Sequence, residues 1–210
     1  MSLDFIYNRH SVRKFTDKQV PIEDLKTIIE AATYAPSGKN TQNWHFVAIR
    51  DKEKIIQIAD MIEKRHLEIT HLSQNEKVKE FFLKFMKYHI AFKSAPTLIL
   101  AYAGPYSLTE LDILRETNAP AEEIDEILAI DSRVQNVSAA MENLLLAASE
   151  MGYGTCWMTG FGYARKEIEA FIGLDKPGYD LISMTPLGLP ASAPFVIARK
   201  PVDEILTIIE

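Results

Sequence analysis

Residues 132–151 constrain the fold most, because they are apolar at helical spacing around most of a helix. One face of this predicted helix carries Val134, Val137, Met141, Leu144, Leu145 and Ala148, and the other side still carries Ala140, Leu146 and Ala147. Such a helix is buried in a core or against another subunit. Ser132, with Gln135 three residues later, predicts a capping box at its start, and Gly152 predicts its end. We expect the domain to form around this central helix.

The other apolar runs predict an α+β domain in three layers, with a central mixed or antiparallel sheet of four to five strands flanked by helices. Strands are predicted at residues 44–49, 97–102, 154–158 and 180–187. Helices are predicted at about 22–35, 52–65, 75–92 and 165–171, with a short terminal helix at 202–209. Residues 1–210 suffice for one domain with a full core. Residues 104–130 are expected to be an excursion with short helices, of the kind that covers a site.

The composition excludes several classes of protein. A formal charge of −6 argues against a nucleic-acid-binding surface, which is normally basic. No apolar run approaches the ~20 residues that cross a bilayer, and the N-terminus lacks the layout of a secretory signal. The lone Cys156 excludes an internal disulfide and a multi-cysteine metal site. We expect a cytoplasmic protein that binds no nucleic acid, membrane or metal ion.

Cations are clustered at both ends of this acidic chain. Arg9, Ser11 and Arg13 would project from one face if their run is extended. Guanidinium groups and a hydroxyl suit a phosphate-bearing ligand. A solvated surface is the simpler interpretation and stays open at this point. Arg199 and Lys200, at the other end, would join the same anion if the fold brings the termini together.

Five segments in order resemble the nitroreductase family of FMN-dependent NAD(P)H oxidoreductases. They are Arg9-His10-Ser11-Val12-Arg13-Lys14-Phe15, Ala35-Pro36-Ser37-Gly38-Lys39-Asn40-Thr41-Gln42-Asn43-Trp44, Asn143-Leu144-Leu145-Leu146-Ala147-Ala148, Gly152-Tyr153-Gly154-Thr155, and Leu187-Gly188-Leu189-Pro190 followed by Arg199-Lys200-Pro201. The resemblance covers nearly the whole chain. It implies the nitroreductase-like form of the three-layer fold.

The resemblance implies which residues bind FMN. The phosphate and ribityl chain would be held from both ends of the chain, by Arg9, His10, Ser11, Arg199 and Lys200. Arg13 would lie near N1 and O2 of the isoalloxazine, where a fixed cation favours the reduced flavin. The loop that hydrogen-bonds the flavin would be formed by Pro36, Ser37, Asn40 and Gln42. Asn43 stands where the family often has proline, with no effect that the sequence predicts.

The turn Met158-Thr159-Gly160 would bring a backbone N–H to flavin N5, so no catalytic side chain is expected. Thr159 and Trp157 replace the common Glu and Pro, which leaves a backbone role possible. The implied reaction is ping-pong hydride transfer from NADH or NADPH, through N5, to a nitroaromatic, quinone, enone or flavin. The implied assembly is an intertwined homodimer in which residues 192–210 extend over the partner.

Other interpretations stay open at the level of the sequence. The flavin could serve an oxidase or dehydrogenase of a small organic substrate, a reductive dehalogenase, or a flavin-binding protein without turnover. The chain could also be an interaction domain without flavin. Some polar or reactive side chains are expected to be surface, satisfied or inert rather than functional: His45, His66, His71, His89 and Cys156. Most aromatic residues at 81–106 are expected to pack in the core, although some could line a substrate pocket.

Overall fold

The computed structural model describes residues 3–193 and 196–210, so positions 194 and 195 of the predicted C-terminal extension lie outside it. Its centre is a sheet of β1 (Trp44–Ile49), β2 (Thr97–Ala103), β3 (Gly154–Thr155) and β4 (Asp180–Gly188). The strands lie in the order β1-β2-β4-β3, and neighbouring strands are antiparallel. The α+β prediction is confirmed. The third strand is shorter than expected, because Met158 joins Met184 only through an isolated bridge.

Helices cover the sheet. They are α1 (Asp4–Tyr7), α2 (Ile22–Thr33), α3 (Lys52–Leu72), α4 (Glu76–His89), α5 (Thr109–Glu116), α6 (Ala121–Ala129), α7 (Ser132–Glu150) and α8 (Arg165–Ile172). α3 continues past the predicted end at residue 65, because Ile62, His66 and Thr70 extend its buried face at helical spacing. The predicted terminal helix is only a 3₁₀ turn, Val202–Glu204. Within the described ranges, every helix is too short or too polar to cross a lipid bilayer.

β2 lies in the middle layer of the domain, since all seven of its residues are buried. Its residues alternate between two cores: Leu98, Leu100 and Tyr102 on one face, and Ile99, Ala101 and Ala103 on the other. The first core is shared with α3 and α8, and the second with α2 and α7. A strand buried on both faces lies between two layers of helices. The predicted three-layer arrangement is therefore confirmed.

α7 packs on α2 and the sheet along one side only. Its buried residues are Asn136, Val137, Ala140, Met141, Leu144, Leu145 and Ala148. On the other side, Asn143 is partly exposed, and so are the apolar Leu146 and Ala147. The prediction of a central, largely apolar helix is thus confirmed, and part of its apolar surface has no cover within the described chain.

The predicted capping box at Ser132 and Gln135 is wrong, because Asp131 caps α7 instead. The Asp131 carboxylate accepts a hydrogen bond from the Val134 N–H at 3.2 Å. The Gln135 amide donates to the Ile130 carbonyl at 2.6 Å. Asp131 has φ 39°, in the left-handed region that aspartate tolerates better than most residues. Its negative charge also lies at the positive end of the helix dipole.

Candidate functional site

The N-terminal cationic run is extended and hydrogen-bonded to the edge of the sheet. The Val12 N–H donates to the Thr155 carbonyl at 2.7 Å, and Ser11 forms a parallel bridge with Thr155. Further along, the Ala191 N–H donates to the Lys14 carbonyl at 3.0 Å. The run therefore lies between β3 and the segment that leaves β4. The N-terminal cations and the start of the C-terminal extension are neighbours.

Glycine at 154 allows this close approach. A Cβ at Gly154 would lie 2.7 Å from the Val12 Cβ, closer than packed side chains come. Val12 is buried against this glycine, Ser11 is half-buried and Arg13 is exposed. The expected projection of Ser11 and Arg13 away from the core agrees with this alternation.

The two arginines of the run reach different helices. The Arg9 guanidinium lies 3.7 Å from the Glu142 carboxylate on α7. The Arg13 guanidinium lies 5.8 Å from the centre of the Tyr88 ring on α4, a cation–π distance. The run therefore presents one cation toward α7 and a second toward the C-terminal end of α4, with half-buried His10 between Arg9 and Ser11.

The turn at residues 158–160 also reaches the end of α4. Met158 exchanges two backbone hydrogen bonds with Met184, of 2.9 and 3.1 Å, which fix the start of the turn. Gly160 packs against His89, the residue after Tyr88: a Cβ at 160 would lie 2.9 Å from the His89 Nε2. Within residues 3–193 and 196–210, the Gly160 N–H has no hydrogen-bond acceptor. Gly160, with its unpaired N–H, and the Arg13 guanidinium therefore lie beside two consecutive residues of α4, His89 and Tyr88.

The loop at residues 36–42 holds three non-glycine residues in the left-handed region. Lys39, Asn40 and Gln42 have φ of 54°, 51° and 45°. Such a conformation costs about 1 kcal/mol or more for each residue and persists only where the surroundings impose it. Inside the loop, the Gln42 N–H donates to the Ser37 Oγ at 3.0 Å, and the Gln42 amide donates to the Asn40 Oδ1 at 3.2 Å. Asn40, Gln42 and Pro36 are exposed.

Two buried asparagines brace this loop from below. Asn136 on α7 accepts from the Gly38 N–H at 3.0 Å and donates to the Asn43 Oδ1 at 2.9 Å. Asn43 in turn donates to the Gly104 carbonyl at 3.1 Å. The side chains are only 8% and 5% exposed. No role is predicted for Asn43 or Asn136 from local pattern, although an asparagine on the buried face of an apolar helix is a signal that its amide has a partner.

Some predicted site residues do not meet within one chain. The loop reaches α7 at Asn136, whereas the cationic run reaches it at Glu142, about 9 Å further along and on a different face. Arg199 and Lys200 are exposed, and across the described residues no hydrogen bond or ion pair joins them to Arg9 or Arg13. One copy therefore brings together the run and the turn, but not the loop or the C-terminal cations.

The side chains expected to be non-functional range from fully buried to exposed. His66 is fully buried with both ring nitrogens hydrogen-bonded, and His71 is exposed. Burial lowers the pKa of His45, with a smaller effect from the Lys176 cation. Cys156 is a buried free thiol.

Asn136→Ala tests the bracing of the loop. It leaves the Gly38 N–H without its acceptor and the Asn43 Oδ1 without its donor, so we expect a loss of about 1–3 kcal/mol of unfolding free energy. Hydrogen exchange of residues 36–43 should accelerate. Asn143→Ala, on the same helix, removes only a 3.5 Å contact with the Ala31 carbonyl and is the matched control. Equal stability and equal protection in the two variants would contradict the bracing role.

Comparison with known proteins identifies the family. The nitroreductase family model matches residues 6–189. The crystal structure of a BluB-like flavoprotein from Clostridium difficile 630 superposes with a TM-score of 0.93 at 39% identity, over 100% of both chains. An Archaeoglobus fulgidus protein, named for a proposed NADH dehydrogenase/NAD(P)H nitroreductase activity, is 30% identical over 156 residues, 74% of this chain and 66% of that protein. Iodotyrosine deiodinase 1 of Homo sapiens is 25% identical over 214 aligned residues, 98% of this chain and 68% of that protein. The chain belongs to the nitroreductase family.

Proposed function

We propose that this chain is an FMN-dependent oxidoreductase that transfers hydride from NADH or NADPH to a small organic acceptor. The observation that carries the proposal is the approach of Arg13 and Gly160 to the consecutive α4 residues Tyr88 and His89. Arg13 offers a permanent cation, and Gly160 offers an unpaired backbone N–H. The pair suits the edge of an isoalloxazine, which becomes electron-rich on reduction. Similarity to a flavoprotein over the whole chain supports a flavin.

The residues of the cationic run fit the phosphate and ribityl chain of FMN. Arg9 has one long contact, 3.7 Å to Glu142, and keeps donors for a second anion. The neighbouring half-buried His10 and Ser11 add polar groups at the same edge. Guanidinium and hydroxyl donors form charge-assisted bonds with phosphate oxygens. Arg199 and Lys200 would complete this cluster from the C-terminal extension.

The turn fits a role through its backbone. FMN, when bound, supplies the hydride chemistry itself, and the chain supplies binding, orientation and electrostatics. Met158 is anchored to Met184, Thr159 is exposed and the Gly160 N–H is available to donate to flavin N5. The exchange of the common Pro and Glu for Trp157 and Thr159 therefore leaves the donor intact. Arg13 would stabilise negative charge at N1 and O2.

A second copy of the chain would supply the missing parts of the site. The exposed side of α7 borders a groove of about 430 Å³ lined by Phe5, Ala31, Asn143, Leu146, Ala147 and Glu150. The short α1 beside it is 41–67% exposed at its apolar Phe5, Ile6 and Tyr7. The C-terminal extension also exposes large apolar residues: Val196, Ile197, Val202, Ile205, Leu206, Ile208 and Ile209. Such surfaces are normally covered in an assembly. In the proposed homodimer, the partner's loop at 36–42 and its residues 192–210 reach this site.

Residues 104–130 are proposed to cover the bound acceptor. They contain α5 and α6, attached through buried Leu111 and carrying exposed Ile113 and Leu128. Acidic residues are frequent in and next to this segment: Glu110, Asp112, Glu116, Glu122, Glu123, Asp125, Glu126 and Asp131. Acceptors without negative charge, among nitroaromatics, quinones, enones and flavins, are therefore favoured. A cytoplasmic location accords with the single, buried thiol.

The function is tested on the purified full-length protein. We expect flavin absorbance, loss of that absorbance on anaerobic addition of NADH or NADPH, and its return when an acceptor is added. Initial rates at several concentrations of both substrates should give parallel double-reciprocal lines, the pattern of a ping-pong reaction. A colourless protein that takes up no FMN on titration would overturn the proposal.

Reductive dehalogenation is the second candidate, because the similarity to iodotyrosine deiodinase 1 covers almost the whole chain. Halide release from a halogenated tyrosine by protein whose flavin has been reduced with dithionite, which supplies the two electrons, together with no bleaching by either nicotinamide, would favour this candidate. Oxygen uptake with an organic substrate would indicate an oxidase. Slow reduction with no acceptor turnover would indicate a flavin-binding protein.

Arg13→Ala tests the cation at the ring edge. We expect about 10- to 100-fold weaker FMN binding, since hydrogen bonds to a charged group are worth about 1.5–3 kcal/mol. The midpoint potential of the bound flavin should fall, because a positive charge favours the reduced form. Lys14→Ala removes the adjacent exposed cation and is the control. If both variants keep the original potential, Arg13 has no role at the ring.

Leu146→Glu tests the homodimer. Leu146 is half-buried in the groove beside α1, so a carboxylate there would be desolvated in the proposed interface. We expect monomers in analytical ultracentrifugation, together with loss of FMN, because the partner would no longer supply its loop. Leu128→Glu adds the same charge at an exposed leucine of α6 and should leave the dimer intact. A dimeric, yellow Leu146→Glu protein would contradict this interface.

A further inference from the structure

Three side chains from separate parts of the sequence are linked by hydrogen bonds in a continuous series next to Gly160. The Tyr163 hydroxyl, in the 3₁₀ turn Gly162–Ala164, lies 2.9 Å from the His89 Nδ1 and 2.8 Å from the His66 Nδ1. The His66 Nε2 lies 3.0 Å from the Phe82 carbonyl oxygen. We call this set, His89–Tyr163–His66, the histidine–tyrosine chain.

The proton positions at the buried end follow from the partners. A carbonyl oxygen only accepts, so the His66 Nε2 carries a hydrogen and donates to Phe82. Burial lowers the pKa of His66, which keeps its ring neutral and its Nδ1 an acceptor. Burial also raises the pKa of Tyr163 to about 12, so the phenol keeps its hydrogen. Tyr163 therefore donates to the His66 Nδ1.

The Tyr163 hydroxyl also determines which nitrogen of His89 carries the hydrogen. The single hydrogen of the Tyr163 hydroxyl is already donated to His66, so its oxygen accepts from the His89 Nδ1–H. Burial and the neighbouring His66 lower the pKa of His89, which favours the neutral ring. The His89 Nε2 is then left without a hydrogen, on the side of the ring that faces Gly160.

Packing also restricts the positions of the rings. His66 is stacked on Phe82, with ring centres 3.8 Å apart and planes at 10°. His89 fills the space where a side chain at 160 would lie, since a Cβ there would be 2.8 Å from its Cγ. The titratable groups that face His89 are His66 from α3 and Tyr163 from the 3₁₀ turn, with Phe82 from its own helix edge-on at 6.4 Å.

We propose that His89, oriented by Tyr163 and His66, is a positioning residue that holds the Gly160 backbone N–H in place for the flavin. The proposal rests on the proposed function and adds residues to which the family resemblance gave no role. Because the His89 Nε2 carries no hydrogen, it presents no second donor beside Gly160. The Gly160 N–H is then the one donor that this pair of residues offers to the cofactor.

Tautomers provide the first test. Long-range ¹H–¹⁵N correlation spectra of the purified full-length protein report which ring nitrogen of each histidine carries the hydrogen. We expect His89 protonated on Nδ1 and His66 on Nε2, with the His89 resonances assigned by their loss in His89→Asn. A hydrogen on the His89 Nε2 would overturn the proposal.

Tyr163→Phe provides the second test. It keeps the ring and removes the hydroxyl that joins the histidines, so we expect a lower midpoint potential of bound FMN. The rate constant for flavin reduction by NADH or NADPH should fall about tenfold at unchanged KM, since misplaced groups cost rate rather than affinity. Tyr102→Phe is the matched control, because the Tyr102 hydroxyl is buried without a partner in the described residues. A Tyr163→Phe protein that matches this control would overturn the proposal.

A pair of isosteric variants keeps the test independent of the folding of Tyr163→Phe. His89→Asn retains an N–H donor near the position of Nδ1, whereas His89→Leu has similar bulk and no donor. We expect His89→Asn to retain more of the flavin reduction rate than His89→Leu, and equal rates would count against the positioning role. A wild-type protein that binds no flavin would overturn the proposed function as well. If the wild-type protein binds flavin and is reduced by a nicotinamide, but the variants do not change the potential or the reduction rate, this inference alone is overturned.

Discussion

The structure depends on the burial of a helix that is apolar on most of its surface. α7 satisfies one side against α2 and β2, through residues such as Val137, Met141 and Leu144. Within the described residues, nothing covers the side that carries Leu146 and Ala147. Apolar burial is the dominant favourable term in folding and in most protein association. The same helix therefore stabilises the single chain and favours a second one.

Polar contacts then place the functional groups on this apolar frame. Asn136 lies on the buried face of α7, yet its amide is satisfied by the loop at 36–43. A buried amide is tolerated only when its hydrogen bonds are made, so the loop has little freedom to move. The histidine–tyrosine chain follows the same rule on the opposite side of the sheet, next to α3. The first network ends in a hydrogen bond from the Gly38 N–H, and the second ends at the His89 ring, which packs against Gly160.

Local patterns predicted the fold well, because strands, helices and the two layers of apolar residues follow short-range periodicity. The prediction of Ser132 as the cap of α7 is wrong, because the left-handed φ of Asp131 cannot be predicted from the residue types alone. The positions of Asn43 and Asn136 could not be predicted, because their partnership joins residues far apart in the chain. The link from His66 to His89 through Tyr163 is of the same kind. The family resemblance indicated the run and the turn. Their common contact with α4 depends on the tertiary structure and could not be predicted from local patterns.

The pairing of the N-terminal run has a consequence for biosynthesis. The Val12 N–H bonds to the Thr155 carbonyl and the Thr16 N–H to the Leu189 carbonyl, so these residues pair with partners that are synthesised long after them. Closing so large a loop is entropically unfavourable and slow compared with local contacts. A nascent chain interrupted before Thr155 would contain the residues of α2 and β1 but neither partner of the run. The N-terminal run can therefore reach its final position only after both β3 and β4 have been synthesised.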